Sequence, residues 1–174
     1  MSQGCIFERI KDADEDLNSL YELRSGSADI YWSGYVSRPD PAAFKTWFDE
    51  QLPRTDRNIW LVREIGNPAA AVGYLYVTYS MEDKKKIAFI SHGVAGNSTG
   101  KGIGSTIVNF VVNMAVNGCI ETDELQAWVV RENIASAKTF IRNGFVKSSR
   151  QKEEFYKSMD KRVTMDNYFF KIRL

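Results

Sequence analysis

Cysteine, histidine and proline are scarce in this chain, with two, one and four copies in 174 residues. Cys5 and Cys119 lie far apart, there is no Cys-x-x-Cys pair, and a single histidine leaves too few ligands for a zinc site. No metal is therefore expected, and a reduced, cytoplasmic protein is. No apolar run approaches the roughly 18 residues that a membrane-spanning helix needs. The opening residues MSQGCIFERIKDADED lack a cationic segment followed by an apolar one, so no secretory signal is expected. Charge of one sign is missing too. Twenty-three Lys and Arg against 22 Asp and Glu leave +1, so no global field recruits nucleic acid or an anionic membrane. Internal repeats, low-complexity tracts and linkers are absent.

What remains is an ordinary globular composition, 44% hydrophobic and 13% aromatic, in one expected domain over residues 1–174. The charge is less even than its sum. Residues 1–60 carry 11 acids against 7 bases, and residues 138–174 carry 10 bases against 4 acids. Either the molecule is bipolar or this is ordinary solvated surface.

Residues 4–10 alternate like a short strand. Asp12 with Glu15 resembles a capping box opening a helix through Leu17, Leu20 and Tyr21. Asp40-Pro41 starts a second helix, with Phe44, Trp47 and Phe48 on one face. Residues 58–64, 70–79 and 87–94 read as an antiparallel meander, with a turn at Gly66-Asn67-Pro68 and a polar connection at 81–86. A helix follows in which Ile103, Ile107, Phe110, Val111 and Met114 share a face. A strand at 124–131 then precedes a helix at 133–143, which carries Ile134, Ala137 and Ile141 and ends at Gly144. Strands from Phe145 and over 163–173 complete the chain. The expected class is α/β with a mixed, mostly antiparallel sheet and helices on both faces.

The chemistry concentrates in Val94-Ala-Gly-Asn-Ser-Thr-Gly-Lys-Gly-Ile-Gly-Ser105, between a strand and an amphipathic helix. Glycines let a ligand approach the backbone, and the first N–H groups of a helix are unpaired donors at its positive end. Such a junction suits phosphate, though a glycine-rich turn serving geometry alone has the same composition. A Walker A loop is excluded, because Gly102 follows Lys101 and Ala95 stands where its first glycine belongs. The dinucleotide fingerprint fails at Ser105 in one register and at Ile107 in the other.

The segment resembles the acyl-CoA loop of the GNAT superfamily of N-acetyltransferases, and the likeness runs from about residue 5 to 174. That family places Gln or Arg, two variable residues, Gly, one variable residue and Gly or Ala after a strand ending in valine. Val94, Gly102 and Gly104 match, and Thr99 departs from Gln or Arg. Some thirty residues on, the family has an Asn, a small residue, an aromatic and Gly-Phe, here Asn133, Ser136, Phe140 and Gly144-Phe145.

The resemblance implies acetyl-CoA as co-substrate. Its diphosphate would rest on Thr99, Gly100, Lys101, Gly102, Ile103, Gly104 and Ser105. Its pantetheine would lie between splayed strands 87–94 and 124–131, beside Asn133, Ser136 and Phe140. Backbone N–H near Val94 would polarise the thioester carbonyl. Asn133 reads equally as a helix N-cap.

Many members protonate the leaving thiolate with a tyrosine where this chain has Phe140; Tyr156 and Tyr168 are downstream substitutes. His92 shares the Val94 side of its strand and suits a general base, or else packs in the sheet. Glu132 is a second option. Tyr31, Trp32 and Tyr76, with Tyr35, Trp47 and Tyr74, are candidates for an amine site, since aromatics with nearby acids suit a cation. Trp32 and Trp47 read as well as core. The expected activity is acetyl transfer to a primary amine by direct attack in a ternary complex. A small-molecule acceptor is expected, with a protein N-terminus or lysine, or a CoA-binding module without turnover, as alternatives. Neither nucleic acid nor membrane is an expected partner, and the protein is expected as monomer or homodimer.

Overall fold

The computed structural model describes residues 4–172, so Arg173 of the expected last strand lies outside the described residues. A strand β1 (Cys5–Arg9) leads to three helices, α1 (Asp14–Arg24), α2 (Ser27–Trp32) and α3 (Pro41–Gln51). The meander follows as β2 (Arg57–Glu64), β3 (Asn67–Glu82) and β4 (Lys85–Val94). Helix α4 (Ile103–Val116), β5 (Glu124–Val130), α5 (Ile134–Arg142), β6 (Val146–Tyr156) and β7 (Lys161–Lys171) complete the order. The seven strands form one sheet in the order β1-β2-β3-β4-β5-β7-β6, antiparallel except where β4 meets β5.

Period-2 alternation explains why β2 reads as a nearly continuous apolar run: it is buried on both faces. Trp60 and Val62 join the core beneath α4 and α5, built around Leu75, Val77, Ile107, Val111 and Phe140. Ile59 and Leu61 join the opposite core, formed with Leu20, Phe44, Phe48 and Tyr74 beneath α1 and α3. A third, smaller cluster of Val130, Tyr156, Val163 and Met165 receives Trp32 and Trp128.

Helix ends divide by mechanism. Asp40 caps α3 by accepting from the Ala43 N–H at 2.8 Å, with Pro41 at the first helical position. The Asp12–Glu15 capping box does not form. Helix α1 starts at Asp14 after an Ala13 N-cap, and the Asp16 carboxylate instead accepts from the Lys11 N–H at 2.8 Å. The expected apolar face of α5 is also shifted. Ile134 and Ile141 are 56% and 54% exposed, while Ala137 and Phe140 face the core.

Strand β3 begins at Asn67, so the turn before it is Ile65-Gly66 and Pro68 lies within the strand. The polar connection at 81–86 is mostly strand. Only Asp83 and Lys84 turn, at φ of 48° and 67°, between the pairs Glu82↔Lys85 and Met81↔Lys86. Two successive residues in the left-handed region are the mark of a tight hairpin, a conformation that costs non-glycine residues about 1–2 kcal/mol each. Lys84→Gly should therefore raise stability by about 0.5–1 kcal/mol. Urea unfolding midpoints measure this, and an unchanged or lower midpoint would contradict the turn assignment.

Candidate active site

Strands β4 and β5 are paired over only three rungs, Ile87↔Glu124, Ala88↔Leu125 and Phe89↔Gln126. Beyond Phe89 they part. Lys86 accepts from the Asp123 N–H and donates to the Asp123 carboxylate, so its backbone faces β5. The Ala95 N–H bonds the Val72 carbonyl on the other side. By period 2, the backbone groups of Ile90, His92 and Val94 line the widening gap, with no strand among the described residues to receive them.

The loop after Val94 makes a single 3-10 turn over Gly96–Ser98, which the Thr99 hydroxyl closes by donating to the Gly96 carbonyl. Gly100 and Gly102 then adopt φ of +79° and +85°, with open space where a Cβ would stand. Gly102 is the N-cap of α4 and offers no side chain; its carbonyl accepts from the Thr106 N–H at 3.0 Å. The N–H groups of Ile103, Gly104 and Ser105 are the helix's unpaired donors. Lys101 is exposed beside them. The Ser105 hydroxyl accepts from Asn143 Nδ2 at 3.0 Å, tying α4 to the end of α5. Asn133 caps α5 through the Ser136 N–H at 3.1 Å.

On the sheet face away from α4, a cleft of about 950 Å³ opens beside Phe89, Ser91 and Trp128, where the strands part. Tyr35, Trp47 and Tyr76 give it aromatic walls. Arg24 reaches it from a buried node: the guanidinium meets Asp29 at 2.7 Å and donates to the Tyr74 hydroxyl at 2.6 Å, which in turn donates to Asp29 at 2.5 Å. Burial pushes the Asp29 carboxyl up against the opposing pull of Arg24 and Tyr74. The node rests on Gly93, where a Cβ would stand 2.3 Å from the Tyr74 ring and 2.8 Å from Asp29.

The family model for the acetyltransferase (GNAT) domain matches residues 6–146. The chain belongs to the GNAT acetyltransferase family. No curated protein matches it. Among solved structures, a spermidine N-acetyltransferase from Vibrio cholerae, in complex with CoA and spermine, superposes with a TM-score of 0.80 at 14% identity, covering 98% of this chain and 96% of that one. Aminoglycoside acetyltransferase AAC(6')-Ib in complex with coenzyme A gives 0.73 at 17% identity, with 97% and 95% covered. A GNAT-family acetyltransferase from Streptococcus pneumoniae gives 0.69 at 14%, with 98% and 100% covered.

Within this GNAT fold the expected residues separate. Val94, Gly102, Gly104 and Ser105 gather at one end of the gap, and Tyr76 lines the cleft at the other. Tyr31 and Trp32 do not line it. Tyr31 is 44% exposed, and Trp32 packs on the third cluster. His92 does share its side of β4 with Val94, but that side faces α4 and α5. Its ring meets Phe140 edge-on at 5.5 Å, and its Nε2 lies 3.4 Å from where a Gly104 Cβ would be. Burial holds its pKa down to about 4, so it is neutral at pH 7 and poorly basic. Glu132 pairs with Lys161 at 3.2 Å on the surface, and its own backbone N–H and Lys161 keep it a weak base.

Phe140 is buried in the main core. Neither substitute tyrosine reaches the cleft: the Tyr156 hydroxyl points at the Met165 sulfur, and Tyr168 is core. Reading the sequence named Tyr74 as a candidate but missed Arg24, Arg57 and the bond between Tyr74 and Asp29. No local motif marks them, since 45 residues separate Asp29 from Tyr74.

His92 makes a signature in stability. Its folded pKa of about 4 lies below the ordinary 6.5, so the unfolded chain takes up the proton first as pH falls. Its contribution is complete above pH 6.5 and is lost progressively towards pH 4. Between pH 7 and pH 4.5 the parent should lose about 1–3 kcal/mol more than His92→Gln. Urea unfolding of both proteins at the two pH values measures this, and parallel losses would show a hydrated imidazole.

Proposed function

We propose that the protein transfers an acetyl group from acetyl-CoA to the amine of a small molecule, by direct attack while both are bound. One observation carries the reading. The glycine cradle, the gap in the sheet and the cleft follow one another, so a phosphate site, an extended slot and an acceptor chamber lie in series across the sheet. Backbone N–H groups of Ile103, Gly104 and Ser105 hold the diphosphate, and the absence of a Cβ at Gly100 and Gly102 admits it. Unpaired backbone groups of Ile90, His92 and Val94 receive the pantetheine as an added strand. Asn133, whose Oδ1 serves the helix cap, keeps both Nδ2 hydrogens for the pantetheine amides. Backbone N–H near Val94 faces the thioester oxygen, where negative charge develops.

An ammonium has no lone pair, so the acceptor must react as the free amine. The described residues that line the cleft include no carboxylate and no imidazole. Proton removal falls to water, and Arg38, Arg57 and Lys157 assist it by disfavouring a positive amine. Phe140 cannot protonate the leaving thiolate, which departs unaided or takes a proton from water. The same departure favours one competing reading, a CoA-binding module without turnover.

Thiol release from acetyl-CoA in the presence of an amine panel decides between them: robust release supports transfer, and binding without release supports the module. Undetectable binding in calorimetry at millimolar acetyl-CoA would defeat both. Gly102→Val should raise the acetyl-CoA dissociation constant by about tenfold or more, equivalent to about 1.4 kcal/mol. Gly102→Asn, a residue that tolerates the left-handed region, controls for backbone strain. Binding as tight as the parent's in Gly102→Val would place the phosphate cradle elsewhere.

A further inference from the structure

The cleft is cationic, and its charges are unequally spent. Arg24 is neutralised by Asp29 at 2.7 Å. Arg38 meets Glu22 at 3.2 Å on the rim, where both side chains are more than half exposed and the pair adds little. Arg57 and Lys157 have no carboxylate within ion-pair distance among the described residues.

Arg57 is also held in place. Its Nε donates to the Thr78 hydroxyl at 3.0 Å, its Nη1 donates to the Gln51 side-chain oxygen at 3.2 Å, and the guanidinium lies 5.9 Å from the Tyr76 ring centre. The neighbouring Asp56 is engaged by Arg54 through two bonds of 2.9 and 2.7 Å. That leaves Nη2 of Arg57 as a fixed, unspent donor on the cleft wall. Tyr76, which also lines the cleft, has a buried hydroxyl with no hydrogen-bond partner among the described residues. Burial and Arg54 press the Arg57 pKa down, against the upward pull of Tyr76 and Asp56.

We propose that the acceptor is an amine carrying its own anionic group, a carboxylate or a phosphate, and that Arg57 receives that group while Lys157 and Arg38 add to the attracting field. The assignment rests on the acetyltransferase reading and deepens it. It reverses the expectation of an aromatic site with nearby acids. The aromatics are present, but the lining charges are positive, and a polycation entering this cleft meets repulsion. A charged guanidinium nitrogen held in place with its N–H donors unspent suits an oxygen of either anion.

Matched acceptor pairs test it: phenylalanine against phenylalaninamide for carboxylate, glucosamine 6-phosphate against glucosamine for phosphate, with spermidine as the polycation. The parent should favour the anionic member of at least one pair by tenfold or more in kcat/KM, and the pair concerned identifies the anion. Arg57→Gln should erase that preference by raising the acceptor KM, with the acetyl-CoA KM unchanged. Arg57→Lys, which keeps the charge without the fork, retains part of the preference and serves if Arg57→Gln does not fold.

Equal or better use of the neutral members or of spermidine overturns the proposal, as does a preference that both Arg57 variants leave untouched. Where no amine is acetylated, calorimetric titration of the same compounds into CoA-saturated protein reads the preference directly, and no binding by either anion overturns it. Loss of CoA binding itself defeats the acetyltransferase reading, a result distinct from any of these.

Discussion

The site proposed for this molecule depends on where the pairing of β4 and β5 stops. Each strand is fully committed on its other side. β4 is matched to β3 from Val94 to Lys85, and β5 to β7 from Glu124 to Val130. Between them only three rungs close, ending at Phe89 and Gln126. The sheet is therefore continuous at one end and split at the other. Backbone groups in the split cannot go unpaired without penalty, because buried peptide N–H and C=O demand partners. In the proposed function that unspent backbone receives the pantetheine as an added strand, between the glycine loop and the cleft.

Much of this could be read from the residues. Local signals survived where they were short-range and chemical: Asp40 and Asn133 cap helices, and the loop glycines take the left-handed conformations that only glycine adopts cheaply. Alternation in β4 correctly put His92 and Val94 on one side. What alternation could not say is which side faces the acceptor, since that depends on which helices cover which face. The six residues of α2 are too few for a helical period to show. Ile134 and Ile141 suggested an apolar face that α5 does not bury, because Phe140 does the packing. The cationic lining of the cleft was least legible of all. It draws Arg24, Arg57 and Lys157 from three distant parts of the chain, and no spacing rule connects them.

The node of Arg24, Asp29 and Tyr74 shows how the two sides of the site are joined. It links α1, α2 and β3 over the one position on β4 that lacks a side chain, Gly93. A largely buried ion pair adds little net stability, because desolvation offsets attraction, but losing one partner strands the other at a cost of about 3–5 kcal/mol. Its value lies in geometry. It fixes the helix that carries Arg24 relative to β4, the strand that edges the gap.

If the split sheet is completed by a ligand as proposed, the protein's lifetime becomes a matter of supply. A strand-like ligand that binds only the folded chain adds RT ln(1 + [L]/Kd) to stability, about 2.7 kcal/mol at a hundredfold excess over Kd. For a domain of this size that shifts the melting temperature by roughly 5–10 °C. On the proposed reading, the gap between β4 and β5 couples the abundance of an intact chain to the concentration of the ligand that completes its sheet. A cell short of that ligand would carry a larger open fraction, exposed to proteolysis, with no regulator involved beyond mass action.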